Sequence, residues 1–225
     1  MYPRAIVRKA REEKLDIIGI CDHNSSENVV SVQMAASGHP LTVLPGMEVS
    51  SREEVHTLAL FDNISLLRHF QKVIYAHLPG ENDENIFGCQ AIVNESDEVE
   101  GFNQHLLIGA TVLSLQEIID HIHRLGGLAI ASHIDRESFS VVGQLGFIDP
   151  SFAFDALEVT PRLGLARARE NFPELSGYPF VTSSDAHFLR DIGRGYIELW
   201  MEAGNVQEIG RALRGETGRH VIGGT

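Results

Sequence analysis

The chain has 225 residues, 43% of them hydrophobic and 22% charged, the make-up of a globular protein with a sizeable core. That excludes disordered, collagen-like and coiled-coil chains, and two cysteines, Cys21 and Cys89, are too few for a disulfide scaffold or a cysteine-rich zinc site. With 18 Lys and Arg against 31 Asp and Glu, the net charge of −13 argues against nonspecific binding to long duplex nucleic acid or an anionic membrane, unless a site carries its own cations.

Taken in chain order, Pro3 to Lys14 reads as a helix with proline in its first turn. The basic residues Arg4, Arg8, Lys9 and Arg11 interrupt any signal-like apolar core, and no apolar run reaches a membrane span, so the expected location is cytoplasmic. Leu15 to Cys21 (LDIIGIC) reads as a buried strand, with Cys21 a small core residue. Glu27 to Ser37 reads as a helix entered through Asn24, Ser25 and Ser26. Leu41 to Met47 and Val55 to Phe61 read as strands, and Ser65 to His77 as a helix that stops before Pro79. Residues 80–109 break the rhythm with two short apolar segments around the turn-like NESDE, and are expected to form an inserted hairpin or lid.

Ser114 to Leu125 reads as a helix stopped by Gly126 and Gly127. Strands are expected at Leu128 to Ser132, Ala156 to Thr160, Phe180 to Ser184 and Tyr196 to Trp200, with helices at Gly164 to Asn171 and Val206 to Arg214. This alternation indicates one α/β domain over residues 1–225, built on a parallel sheet that is either open or closed into a barrel.

Several of the apolar strands end in metal-ligand types. IIGIC is followed by Asp22 and His23, LTVLPGM by Glu48, LAIAS by His133, and FVTSS by Asp185, Ala186 and His187. Carboxyl ends of parallel strands are where α/β enzymes assemble their sites. His56 lies near the start of its run and is placed to face Glu48 across a tight turn through Ser50 to Glu54. Singly, each is as well read as a capping or hydrogen-bonded residue; recurrence at four strand ends favours a metal site. Imidazole and carboxylate suit zinc, manganese and iron, and a carboxylate such as Glu48 is able to bridge two cations. His121 and His123 fall in a helical pattern and read as surface histidines, and His220 as part of a tail.

The segments LDIIGICDHNSSEN, LPGMEVSSREEVHTLALF, GGLAIASHIDR and TSSDAH resemble, in order, the PHP (polymerase and histidinol phosphatase) superfamily. The resemblance implies a distorted (β/α)7 TIM-like barrel with two or three divalent ions, zinc, manganese or iron, at its carboxyl face, and phosphoester hydrolysis by metal-activated water. It further implies that His23 and His187 bind one metal. Glu48, His56 and His133 would bind a second with Glu48 bridging, and Asp185 a third shared with Glu48. Glu48, His133 and Asp185 are accordingly the expected catalytic residues. The family's first strand, with its His-x-His motif, has no counterpart here, because the chain opens at MYPRAIV, where the family's first helix begins. The expected reasons are an upstream strand preceding Met1, a fragment, or a degenerate member with fewer metals; without that strand, oligomerisation is a possible rescue of two exposed sheet edges.

Arg136, three residues past His133, and Arg162, past the LEVTP strand end, are the candidates for a substrate phosphate clamp. The expected activity is hydrolysis of a small phosphomonoester, a nucleotide or nucleoside bisphosphate first. The expected partners are a small phosphorylated substrate, no long duplex nucleic acid and no membrane. The alternatives are an exonuclease on short oligonucleotides, a catalytically inactive metal-binding module, and an amidohydrolase-like barrel.

Overall fold

The computed structural model describes residues 1–225. α1 (Pro3–Glu12) leads into β1 (Ile17–Ile20) and α2 (Val29–Ala35), after which β2 (Thr42–Ser50) lies parallel to β1. β2 turns through Ser51 to Val55 into β3 (His56–Leu60), which runs antiparallel to it. α3 (Ile64–Ala76) follows, and within residues 80–109 come α4 (Glu84–Phe87) and an antiparallel pair, β4 (Ala91–Val93) and β5 (Val99–Phe102). α5 (Leu115–Arg124) feeds β6 (Leu128–Ala131), antiparallel to β3. α6 (Val141–Leu145), β7 (Ala156–Val159), α7 (Gly164–Asn171) and β8 (Phe180–Thr182) complete the main sheet. β9 (Ile197–Trp200), α8 (Val206–Leu213) and β10 (His220–Gly224) end the chain, with β9 and β10 paired as a separate ribbon.

The sheet order is β1-β2-β3-β6-β7-β8. Two expectations are corrected here. The sheet is mixed, because the turn at Ser51 to Val55 is too short for the crossover that a parallel pair needs. It is also open, since no strand pairing joins β1 to β8, so the structure is a mixed α/β sheet and not a closed (β/α)7 barrel. His220, read as tail, begins β10, whose two glycines hide the strand from a sequence reading; a Cβ on Gly224 would lie 2.6 Å from the Tyr196 carbonyl.

The main core packs Met47, Phe61, Leu67, Phe70, Ile118 and Ile122, all fully buried, between the sheet and α3 and α5. Each such side chain contributes roughly 1.5–3 kcal/mol. α5 begins with a capping box, Ser114 accepting from the Glu117 N–H and Glu117 accepting from the Ser114 N–H. A second cluster, including Leu44, Ile130, Val181, Val206 and Ile209, joins the sheet to α8. No helix is long and apolar enough to cross a membrane.

Candidate metal centre

The β2–β3 hairpin sets the centre. Ser50 pairs with His56 and Glu48 with Leu58, so Glu48 and His56 lie on one face, diagonal to each other. Glu48 is buried, and its Oε1 lies 3.2 Å from His56 Nδ1 and 3.5 Å from His133 Nε2. Its Oε2 lies 3.5 Å from His23 Nδ1. Three imidazoles from the ends of β1 and β6 and the start of β3 therefore enclose one carboxylate. Burial alone would raise the Glu48 pKa, but hydrogen bonds from His133 and His56 and the nearby His23 hold it well below the usual carboxylate range. Burial lowers the pKa of His23, against the attraction of Glu48.

The second half of the set stands apart. Asp185 and His187 follow β8, with the His187 ring 6.1 Å from that of His23. Arg136 donates to Asp185 Oδ2 at 2.6 Å, and His187 Nδ1 donates to the Asp185 carbonyl at 3.0 Å. His187 is exposed at the mouth.

The donor set suits divalent cations. His23, Glu48 and His56 each offer a ligand atom within 4.8 Å of the others. His133 is buried, yet its Nδ1 has no hydrogen-bond partner, while its Nε2 is the nitrogen 3.5 Å from Glu48. Burial pushes the Cys21 thiol well up, helped by the charges of Glu48, Asp22 and Glu158. Residues in the left-handed region crowd the same place: Asn24 (φ 48°), His133 (φ 31°), Phe139 (φ 60°) and Asp185 (φ 41°).

Sequence reasoning missed the supports. Asn24 is fully buried; its side chain donates to the carbonyls of Leu107 and Gly109 and accepts from the Ser50 N–H. It thereby ties the segment after β5 to the loop bearing His23. Glu158, buried on β7, accepts from the His133 N–H at 3.0 Å and from the Ser183 hydroxyl. The Glu-Val dipeptide gave no signal for this, because the partners lie 25 residues away on either side.

Beside the centre lies a cleft of about 560 Å³ whose lining contains Arg136, Arg162, Arg194, Thr160 and Ser184 and no hydrophobic residue. Arg194 pairs with Asp191 at 3.0 Å and Arg136 with Asp185, while Arg162 is exposed and has no ion pair. His123, read as a surface histidine, instead donates from Nε2 to Asp155 Oδ2 at 2.9 Å. Its partner is 32 residues away, beyond the reach of a helical pattern.

Residues 167–217 match a family described as PHP-associated. The uncharacterized protein YqxK of Bacillus subtilis is 26% identical over 97% of this chain and 56% of its own length. In fold, the lesion-specific endonuclease Q of Pyrococcus furiosus is similar, with a TM-score of 0.71, 18% identity, and coverage of 97% of this chain and 52% of that one. A structure of endonuclease Q with a 27-mer duplex carrying an abasic lesion at the active site is similar with a TM-score of 0.66, 17% identity, and coverage of 97% of this chain and 53% of that one. The chain thus spans about half the length of these relatives. These findings agree with the resemblance to the PHP superfamily read from the motifs. They correct the exclusion of long duplex nucleic acid, since a protein of this fold is solved on a duplex. The physical reason is that net charge sums the whole surface, whereas the field at a site is local; the cleft holds Arg136, Arg162 and Arg194 with Asp135 and Asp191, and of the three arginines only Arg162 has no ion pair.

Proposed function

We propose that the chain is a metal-dependent hydrolase whose substrate is a phosphodiester of nucleic acid. The observation that carries this is the buried Glu48 carboxylate enclosed by His23, His56 and His133, directly beside a polar cleft bearing Arg136, Arg162 and Arg194. Glu48, His23, His56 and His133 are the residues that would hold divalent cations, with Asp185 and His187 closing the mouth. Bound cations would supply charge against the phosphoryl oxygens and lower the pKa of a bound water toward neutrality.

The chain's own residues do the remainder. Because its imidazole neighbours keep Glu48 ionised, it is available as a ligand at neutral pH. Asp185 holds one arm of Arg136, leaving its other N–H groups for a phosphate oxygen, and Arg162 offers a guanidinium with no competing carboxylate. The cleft is lined by no aromatic or long aliphatic side chain, and its three arginines favour phosphate as its occupant. The resemblance in fold to endonuclease Q supports nucleic acid as the carrier of that phosphate.

The test is a substrate panel of mononucleotides, single-stranded oligonucleotides and duplexes with and without an abasic site, each with zinc, manganese and iron(II). Strand cleavage is expected, and Glu48→Gln is expected to lower metal content and reduce turnover by about 100-fold or more. Turnover confined to mononucleotides would instead restore the small phosphomonoester. Stoichiometric metal without turnover on any substrate would leave a metal-binding module.

A further inference from the structure

We propose that Phe139 is a stacking platform for a nucleobase of the substrate, set against the metal centre; this rests on the nucleic-acid reading above and names a residue that confers it. The Phe139 ring lies flat on the His56 imidazole, with centroids 4.7 Å apart and planes 9° from parallel. That contact covers one face. The residue is nonetheless 44% exposed, so the opposite face is open to solvent next to a candidate metal ligand. An uncovered aromatic plane is a sequence-tolerant seat for a base, whose π-face it matches.

The backbone supports the assignment. Phe139 has φ 60°, in the left-handed region that favours glycine or asparagine and disfavours a bulky side chain. Such strain persists only where the surroundings over-determine it. The His56 N–H donates to the Phe139 carbonyl at 2.8 Å, and the Ser140 hydroxyl donates to the Arg136 carbonyl. On the other side Gly143 approaches so closely that a Cβ there would lie 2.3 Å from the Glu137 carbonyl. The loop from Arg136 to Ser140 is thus pinned at both ends and presents a fixed plane.

The same loop carries Arg136, a candidate for phosphate, three residues before the aromatic ring. A guanidinium and an aromatic plane on one rigid loop match a ligand that is anionic at one end and planar and apolar at the other, as a nucleotide unit is. The arginine cleft is lined by no aromatic side chain, so a stacking plane for a base must be found elsewhere.

The test measures binding of a short, end-labelled, phosphorothioate single strand to the zinc-loaded protein by fluorescence anisotropy. The comparison strand has the same backbone with base-free spacers. Phe139→Ala and Phe139→Leu are expected to weaken binding of the base-bearing strand about 5- to 100-fold, while Phe139→Trp retains it. The base-free strand is expected to bind all variants alike, with unchanged zinc content. Equal losses for both strands would make Phe139 a support for His56 and overturn the platform, as would a wild-type protein indifferent to the bases. The readout needs no turnover, so absence of strand cleavage fails the hydrolase reading without deciding this one, and retained cleavage with no base dependence fails this one alone.

Discussion

Two histidines of this chain face carboxylates with opposite consequences. At His23 burial wins and lowers the pKa. At His123 the hydrogen bond to Asp155 outweighs burial and raises it above the ordinary 6.5. A pKa raised on folding means that the folded state holds its proton more tightly, so the pair stabilises fully below pH 6.5 and fades as pH climbs through the raised folded value. With a third of the His123 side chain exposed, solvent limits the contribution to about 1 kcal/mol. The melting temperature of His123→Gln is therefore expected to fall below wild type at mildly acidic pH and to converge with it at alkaline pH. A gap independent of pH would mean that the ion pair contributes nothing. At this scale, what was legible in the sequence was contact across a short turn, as between Glu48 and His56. What no motif made legible were other partners on distant segments: Asp155 for His123, Glu158 for His133, and His56 for Phe139.

Elements were legible where one local signal settled them. The β2–β3 connection was read only as a tight turn within an expected parallel sheet, while α5 was legible from Ser114, Glu117 and the glycines that end it. α6 and β10 were not, because α6 has only five residues and β10 is divided by glycines and a register shift. The glycines after α5 act differently from one another. Gly126 sits at φ 71° with open space around its Cβ position, so alanine there costs backbone strain alone, about 1 kcal/mol. Gly127 has no positive φ, but a Cβ would lie 2.6 Å from Phe61 Cε1 and 2.8 Å from the Leu60 carbonyl, and the carbonyl belongs to β3 and is unable to rotate away. Gly127→Ala is expected to cost about 1–3 kcal/mol, roughly 2–12 °C in melting temperature. It also displaces the start of β6, the strand that delivers His133, so its affinity for zinc is expected to fall with its stability. A Gly127→Ala protein as stable as Gly126→Ala would show that α5 gives way without disturbing the sheet.

For the whole molecule, the acidic balance and the fold meet at one end of the sheet. The candidate ligands run from His23 to His187: His23, His133, Asp185 and His187 follow β1, β6 and β8, Glu48 lies within β2 and His56 begins β3, and β1 and β8 are the two ends of the open sheet. Net charge was legible in the sequence but misleading, because it does not tell that Glu48 and Glu158 are buried while three arginines share one cleft with Asp135 and Asp191. In the folded state His23, His56 and His133 each lie within 3.5 Å of Glu48, whereas in the unfolded chain they are separated. A cation at Glu48 finds this ligand set only in the folded state, and it links loops that no single strand pairing joins. Zinc is therefore expected to stabilise the entire domain cooperatively. At a hundredfold excess over its dissociation constant the gain is about 2.7 kcal/mol per site, or roughly 5–10 °C for a chain of this size. Glu48→Gln removes the central ligand and the carboxylate that its imidazole neighbours hold ionised, so its metal-free protein is expected to melt below wild type at neutral pH while also losing most of the zinc-induced rise. If the rise survives in Glu48→Gln, the stabilising cation sits among the exposed carboxylates, and the enclosure of Glu48 by three imidazoles is an internal hydrogen-bonded cluster.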